Sequence, residues 1–195
     1  MTTTEAIRTG LKRLPKGKPF TSSCFLKHGS RGAVGRALSR LVAEGKVKRL
    51  TNGVFVRPKK SRFVGNVMPE VSEVVKVIAR NNHETIQVHG AEAARRFKLS
   101  IQMPIVPVFY TSASSRSIVI GNVTVKMIHT SSQRRLQFAG EKTGLALSAL
   151  WYLGKDNVNT EVVSKIKSGL SAEEFETLKS ANVPAWTSAA LNGFA

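Results

Sequence analysis

The sequence predicts an α+β fold in which an N-terminal winged helix-turn-helix is followed by a mixed α/β C-terminal domain. The first observation is an amphipathic helical pattern over residues 31–44. The second is a pair of alternating segments on both sides of Asn52-Gly53, which is typical of a β-hairpin. The third is a series of short helix and strand patterns in the rest of the chain. The expected boundaries are a first domain over 1–62, a linker over 63–69 and a second domain over 70–195.

Two short helices are expected before the amphipathic one. The first follows a cap at Thr3 or Thr4 and has Ile7 and Leu11 on one face. The second is a short helix that begins at Thr21 or Ser22. Three helices followed by a two-stranded hairpin is the element order of a winged helix-turn-helix, in which the third helix enters the major groove.

The third helix is expected to begin after a cap at Ser30 and to end at Gly45 in a left-handed conformation. Its apolar stripe consists of Val34, Leu38, Leu41 and Val42. The opposite face has small residues and two arginines, namely Gly32, Arg36, Ser39, Arg40 and Ala43. Gly32 and Gly35 each weaken a helix by about 1 kcal/mol relative to Ala. Close approach to a phosphate or a base would explain that cost.

Positive charge is concentrated in the first third of the chain. The 195 residues carry a net charge of +18, from 30 lysines and arginines against 12 acidic residues. Residues 1–62 hold 16 of these bases against two acids, a net charge of +14, which leaves +4 for the remainder. Because like charges on a small domain repel one another, a polyanionic partner is indicated. Nucleic acid is favoured over an anionic membrane surface.

The expected DNA contacts come from the third helix, the hairpin and the segment after it. Arg36, Ser39 and Arg40 would touch base edges, because arginine is the usual donor to guanine in the major groove. Lys46, Lys48, Arg49 and Arg57 would mainly hold phosphates, and Arg31, Lys59 and Lys60 complete the set. A protein-docking role for the same face is the alternative. Structured RNA is a third option, although aromatic residues for base stacking are scarce here.

The second domain is expected to be α+β, with a hairpin around Gly121-Asn122 and a capping box formed by Ser171 and Glu174. Its two adjacent basic pairs are Arg95-Arg96 and Arg134-Arg135. Either pair could extend the DNA footprint, contact a partner or simply be solvated.

The sequence lacks the patterns of an enzyme or a metalloprotein. The four histidines, His28, His83, His89 and His129, share no zinc spacing, and no phosphate-binding loop or nucleophile elbow is present. We therefore expect no catalytic residue, no metal and no cofactor. His89 before Gly90 is the best catalytic candidate, but a partly buried structural histidine explains it better. With Cys24 as the single cysteine and no signal-peptide pattern, a bacterial cytoplasmic protein without a membrane span is expected.

Two segments carry a family resemblance. The first is SRGAVGRALSRLVAEGKVKRLTNGVFVRP. The residues that carry the resemblance in it are Leu38, Leu41, Gly45, Val47, Arg49, Gly53, Phe55 and Pro58. The second is VHGAEAARRFKLSIQMPIVPVFYTS, with Gly90, Ala93, Ala94, Leu99, Gln102, Pro104, Tyr110 and Thr111. Together they resemble the AbiEi-type antitoxins of bacteria over about residues 5–155. Phe55 stands where Tyr is commoner and Lys98 where Gly is usual.

The resemblance implies the antitoxin of a type IV toxin–antitoxin system, of the kind associated with phage defence. Such a protein represses its own operon by binding inverted repeats in double-stranded promoter DNA. Its partner gene encodes a nucleotidyltransferase-like toxin, which the antitoxin opposes without a stable complex. The second domain would then be the antitoxin or effector domain. The alternatives are an antitoxin that neutralises its toxin by direct contact and a stand-alone winged-helix regulator.

Overall fold

A computed structural model describes residues 2–61 and 65–193 of the chain. It has an α+β fold, which confirms the predicted class. The chain divides into two compact units. The first unit consists of Met1–His83 with Val119–Val123, and the second of Glu84–Ile118 with Thr124–Ala195.

The described residues of the first unit form three α-helices, a 3₁₀ helix and two small antiparallel sheets. In chain order the elements are α1 (Thr3–Arg13), β1 (Pro19–Thr21), the 3₁₀ helix (Ser22–His28), α2 (Arg31–Ala43), β2 (Lys48–Thr51), β3 (Val54–Val56), β4 (Lys59–Ser61), β5 (Gly65–Val67) and α3 (Val71–Asn81). One sheet has the strand order β1-β3-β2, and β4 pairs with β5. The three helical segments and the hairpin follow in the predicted order, with the second segment 3₁₀, but β1 is an additional strand that was not predicted and that pairs with the hairpin.

Most of the predicted capping residues and turn glycines lie at the helix and strand ends where they were expected. The Ser30 hydroxyl accepts from the Ala33 N–H at 3.3 Å and caps α2. Gly45 and Gly53 have φ of +68° and +72°, so each takes the left-handed conformation that lets the chain turn. The cap of α1 is Thr2 rather than the predicted Thr3 or Thr4. Thr2 forms the cap because Glu5 lies three residues later and completes a capping box with it.

The core of the first unit lies between the helices and one face of the β1-β3-β2 sheet. It consists of Ile7, Leu11, Phe20, Phe25, Val34, Ala37, Leu38, Leu41, Val47 and Phe55. Leu50, Val54 and Val56, also on this sheet, are likewise buried. The helix α3 packs on β1, and the Leu50 carbonyl accepts a hydrogen bond from the Gly121 N–H at 3.1 Å. The hairpin is therefore held by both strand pairing and burial.

The two compact units divide the chain at other positions than the predicted domain boundaries. Residues 63–69 were expected to be a linker, but residues 65–67 pair with β4 as a strand. Residues 70–83 were expected in the second domain, yet they belong to the first unit. The reason is that α3 buries Val74, Val75 and Ala79 and packs on β1. An amphipathic helix joins the unit that covers its apolar face, and local sequence does not show which unit that is.

The second unit contains most of a four-stranded sheet, whose hairpin end at Val119–Val123 is assigned to the first unit, and six α-helices in its described residues. Its elements are β6 (Ile86–Val88), α4 (Gly90–Arg96), β7 (Val108–Thr111), β8 (Arg116–Ile120), β9 (Val123–His129), α5 (Gln133–Leu136), α6 (Lys142–Leu153), α7 (Thr160–Gly169), α8 (Ala172–Lys179) and α9 (Ala185–Asn192). The strand order is β6-β7-β9-β8, with β7 parallel to β9. The predicted hairpin at Gly121-Asn122 and the capping box of Ser171 with Glu174 are confirmed.

The helices of the second unit pack around α6. Its buried residues include Ala146, Leu147, Ala149 and Leu150, and the cluster continues through α4, α7, α8 and α9. Within the ranges described, no helix has the length and apolar character needed to cross a bilayer.

Candidate nucleic-acid interface

The outer face of α2 is the centre of the candidate interface. Val34, Leu38 and Leu41 are fully buried, with 0 % exposure. The residues on the opposite side of the helix are all exposed, namely Gly32, Arg36, Ser39, Arg40 and Ala43. The rotational phase of α2 is therefore the predicted one. Val42 is only partly buried, at the edge of the core.

The two glycines of α2 are not required by internal packing. A Cβ atom added at Gly35 would have no neighbour within 4 Å, and one at Gly32 would meet only the Arg36 Nη1 at 3.7 Å. Each glycine still weakens the helix by about 1 kcal/mol relative to Ala. The packing of the first unit does not explain this loss of helix stability. The exposed backbone at the two glycines leaves room for an approaching partner.

Arg49 connects α2 to the β2-β3 hairpin. Its Nη2 donates to the Ser39 Oγ at 3.2 Å, and its guanidinium carbon lies 5.4 Å from the centre of the Phe55 ring. A predicted base-reading residue and a predicted phosphate-binding residue are therefore in direct contact. The helix and the hairpin form one continuous surface at this point. Arg49 is exposed and keeps further N–H donors for a partner.

Arg57 is hydrogen-bonded within the first unit. It is half-buried, and its Nη1 donates to the carbonyl oxygens of Lys12 (3.2 Å) and Leu14. These carbonyls are at the C-terminal end of α1, where a helix leaves backbone acceptors unpaired and favours a cation. Because its Nη1 is engaged there, we expect Arg57 to serve the fold rather than a phosphate.

Replacing Arg57 with Ala is expected to lower the free energy of unfolding by about 1–2 kcal/mol, since two carbonyls lose a charged donor. The salt dependence of DNA binding should stay unchanged. Urea denaturation and a binding titration at several salt concentrations measure the two quantities. Lys48→Ala is the matched control, with an unchanged stability and a changed salt dependence. An unchanged stability together with a reduced salt dependence in the Arg57→Ala variant would instead place Arg57 among the DNA-contacting residues.

The cations of α2 and the hairpin region whose side chains are described form no ion pair with any described residue. Among the residues described for the first unit, the one ion pair joins Arg8 to Glu44 at 2.8 Å. The exposed cations without an acidic partner there include Arg31, Arg36, Arg40, Lys46, Lys48 and Lys59. The backbone of Lys60 lies in β4, but its side chain is outside the described residues. Positive charge that is not neutralised within the protein favours the binding of a polyanion at this surface.

The arginine pairs of the second unit differ from one another. Arg95 and Arg96 both bind Glu92, at 2.7 and 2.8 Å, so their charge is partly neutralised within α4. These donors hold the pKa of the Glu92 carboxyl below its usual value. Arg135 instead donates to the Tyr110 hydroxyl at 2.8 Å. Sequence reasoning missed this pairing, which joins a helix to a strand 25 residues away and leaves no local signal.

In the described ranges, no three His, Cys, Asp or Glu side chains come together as a metal site would require. The chain belongs to the family DUF6088, a family of unknown function, whose model matches residues 6–178. The match extends over parts of both units. No curated protein matches the chain.

Proposed function

We propose that this member of DUF6088 is a DNA-binding transcriptional repressor whose first unit acts as a winged helix-turn-helix. In this proposal α2 is the recognition helix and the β2-β3 hairpin is the wing. The observation that carries it is the outer face of α2, which is exposed, contains Arg36 and Arg40, and lacks an acidic partner among the described residues.

The shape of the α2 face favours duplex DNA as the partner. Gly32, Gly35, Ser39 and Ala43 are small, so a backbone can come close to the floor of a groove. A Cβ at Gly35 would have no described neighbour within 4 Å outside the helix itself, so the backbone there is open to a partner. The cations on both sides of the helix then reach the phosphates that line the groove.

Single-stranded nucleic acid is a poorer fit. Readers of unpaired bases need exposed aromatic rings for stacking. Phe20, Phe25 and Phe55 are all buried, with 6 %, 4 % and 3 % exposure. Phe63 lies outside the described residues. The described part of the basic surface therefore offers charge without a stacking platform.

The biological role that we propose is that of an antitoxin that represses its own operon. It would bind inverted repeats in the promoter of an AbiE-like toxin–antitoxin operon, with a nucleotidyltransferase-like toxin as the functional partner. This role rests on the resemblance of two segments to AbiEi-type antitoxins. A neighbouring nucleotidyltransferase gene and a footprint on the upstream promoter would test it together.

The Arg36→Ala variant is expected to lose about 1–3 kcal/mol of affinity for the cognate site and little for random duplex, because arginine at a base edge supplies discrimination. Lys48→Ala is the matched control, since a phosphate contact weakens binding to all sequences alike. Anisotropy titrations on promoter and scrambled duplexes give both values. If both variants lose the same affinity on both duplexes, the assignment of Arg36 as a base reader is wrong.

A direct protein contact is the second candidate, and one observation favours it. The loop before β7 exposes Ile101, Met103 and Ile105, with 101 %, 78 % and 99 % of their surface accessible. Apolar side chains clustered in one exposed loop are typical of a protein-binding site. Retention of the toxin on the tagged chain through high salt would favour neutralisation by contact, because screening removes electrostatic association.

A further inference from the structure

A partly open cavity of about 210 Å³ lies in the second unit. The side chains that line it come from β7, α5, α6 and the residue before α4, and they include His89, Tyr110, Arg135, Ser148 and Tyr152. A cavity of this volume holds several waters, so it has room for a small polar ligand. None of the residues expected to contact DNA is among those that line it.

The aromatic rings of the cavity form a wall. The His89 ring centre lies 5.2 Å from that of Tyr110 and 6.0 Å from that of Tyr152, so the imidazole packs against both tyrosines. The ring planes are inclined to one another by 39° and 68°, and they therefore do not enclose a flat slot. Recognition at this cavity must come from its polar groups.

These polar groups offer hydrogens to a ligand. The His89 Nδ1 accepts from the Ala91 N–H at 3.3 Å, so the neutral ring carries its proton on Nε2. The Tyr110 hydroxyl accepts from the Arg135 Nη1 at 2.8 Å, so its own hydrogen is available to another acceptor. Ser148 adds a second hydroxyl. Within the described ranges, no acceptor is bonded to any of these three hydrogens.

Arg135 supplies the positive charge of the cavity. Its guanidinium carbon lies 5.1 Å from the centre of the Tyr110 ring. A guanidinium has five N–H donors, so the bond to Tyr110 leaves most of them free. Arg135 is exposed and forms no ion pair with any described residue, and the residues that line the cavity include no carboxylate. An anionic group can therefore reach this charge from solvent.

His89 acts in this set as a neutral donor. Burial, together with the charge of Arg135, lowers the pKa of the His89 ring, which is therefore mainly neutral at pH 7. Among the residues that line the cavity, Arg135 then carries the charge and His89, Tyr110 and Ser148 provide neutral N–H and O–H groups.

This donor set suits a tetrahedral oxyanion better than a carboxylate. The donors come from four separate segments of the chain, whereas the two oxygens of a carboxylate lie in one plane. A phosphate monoester presents three acceptor oxygens and a charge of about −1.5 to −2 at pH 7. It can accept from the guanidinium and from the neutral donors at the same time.

We propose that this cavity binds a phosphate monoester, with the phosphate oxygens at Arg135, the Tyr110 hydroxyl and the His89 Nε2–H. The open side of the cavity leaves room for the substituent of the ester. Inorganic phosphate has the same acceptor oxygens and is the simplest probe. The site stands independently of the proposed function, since it shares no residue with the expected DNA contacts.

The test follows the histidine ring signals of the full chain by NMR while inorganic phosphate is added at constant ionic strength. The chain has four histidines, and the spectrum of His89→Gln identifies the His89 signals. These signals should move saturably with inorganic phosphate and with methyl phosphate. Dimethyl phosphate and acetate should bind at least about tenfold more weakly, since each has two acceptor oxygens and a single charge.

Variants of the cavity give the second readout. Arg135→Gln should raise the Kd for phosphate at least about tenfold, because a charged hydrogen bond is lost. Arg134→Gln is the matched control, since it removes the same charge from an exposed neighbour that does not line the cavity. Tyr110→Phe keeps the ring and removes the hydroxyl, so it should raise the Kd about threefold or more. It takes the place of Arg135→Gln if that variant does not fold.

Three results would overturn the proposal. The first is that the His89 signals stay unmoved up to millimolar phosphate, including the case in which only other histidines respond. The second is equal weakening by Arg134→Gln and Arg135→Gln. The third is equal or tighter binding of acetate or dimethyl phosphate. None of these results bears on DNA binding, which the Arg36→Ala and Lys48→Ala titrations test in the first unit.

Discussion

Binding of this chain to duplex DNA is expected to weaken about five-hundredfold when the salt concentration rises from about 50 to about 200 mM. The reason is the set of exposed cations outside the base-reading face that have no acidic partner among the described residues, namely Arg31, Lys46, Lys48, Arg49 and Lys59. If each of these five meets one phosphate, the slope of log K against log salt is about −4.5. Anisotropy titrations on a random duplex at several salt concentrations measure it, without knowledge of the operator.

Two controls sharpen this prediction. Lys48→Ala should reduce the magnitude of the slope by about one, because one phosphate contact is lost. Arg96→Gln, in the second unit, should leave the slope unchanged, since Arg96 already binds Glu92. A wild-type slope no steeper than about −2 would mean that the basic surface contacts only about two phosphates of a duplex. That result would count against the proposed function.

The Gly90→Ala variant is expected to lose about 3 kcal/mol or more of unfolding free energy, which is at the upper end of overpacking effects. The added Cβ would lie 2.3 Å from the Tyr152 Cβ and 2.5 Å from the Ser148 carbonyl oxygen. Neither atom belongs to the flexible end of a side chain, so α4 and α6 would have to separate. Urea denaturation followed by circular dichroism measures the loss.

The control for Gly90 is Gly35→Ala in α2, where the new methyl group meets nothing within 4 Å. This variant should gain about 1 kcal/mol from helix propensity. A Gly90→Ala protein as stable as the wild type would mean that α4 and α6 are not in the close contact described here.

The sequence alone determined the features that depend on neighbouring residues. The Asn52-Gly53 turn, the Ser30 cap and the rotational phase of α2 are all local, because they follow from backbone preferences and from the spacing of apolar side chains. The exposure of Arg36, Ser39 and Arg40 follows from that phase, since residues opposite a buried stripe must face solvent.

The tertiary structure alone decided the features that depend on distant partners. Arg57 holds the end of α1 from 43 residues away, so its role could not be read from the basic pattern around it. The helix α3 belongs to the first unit because its apolar face packs on β1. The local sequence does not identify β1 as the element that covers this face. The contact of Arg135 with Tyr110 likewise required the fold to bring α5 beside β7. Apolar burial is non-directional, so periodicity specifies which face is buried but not what covers it.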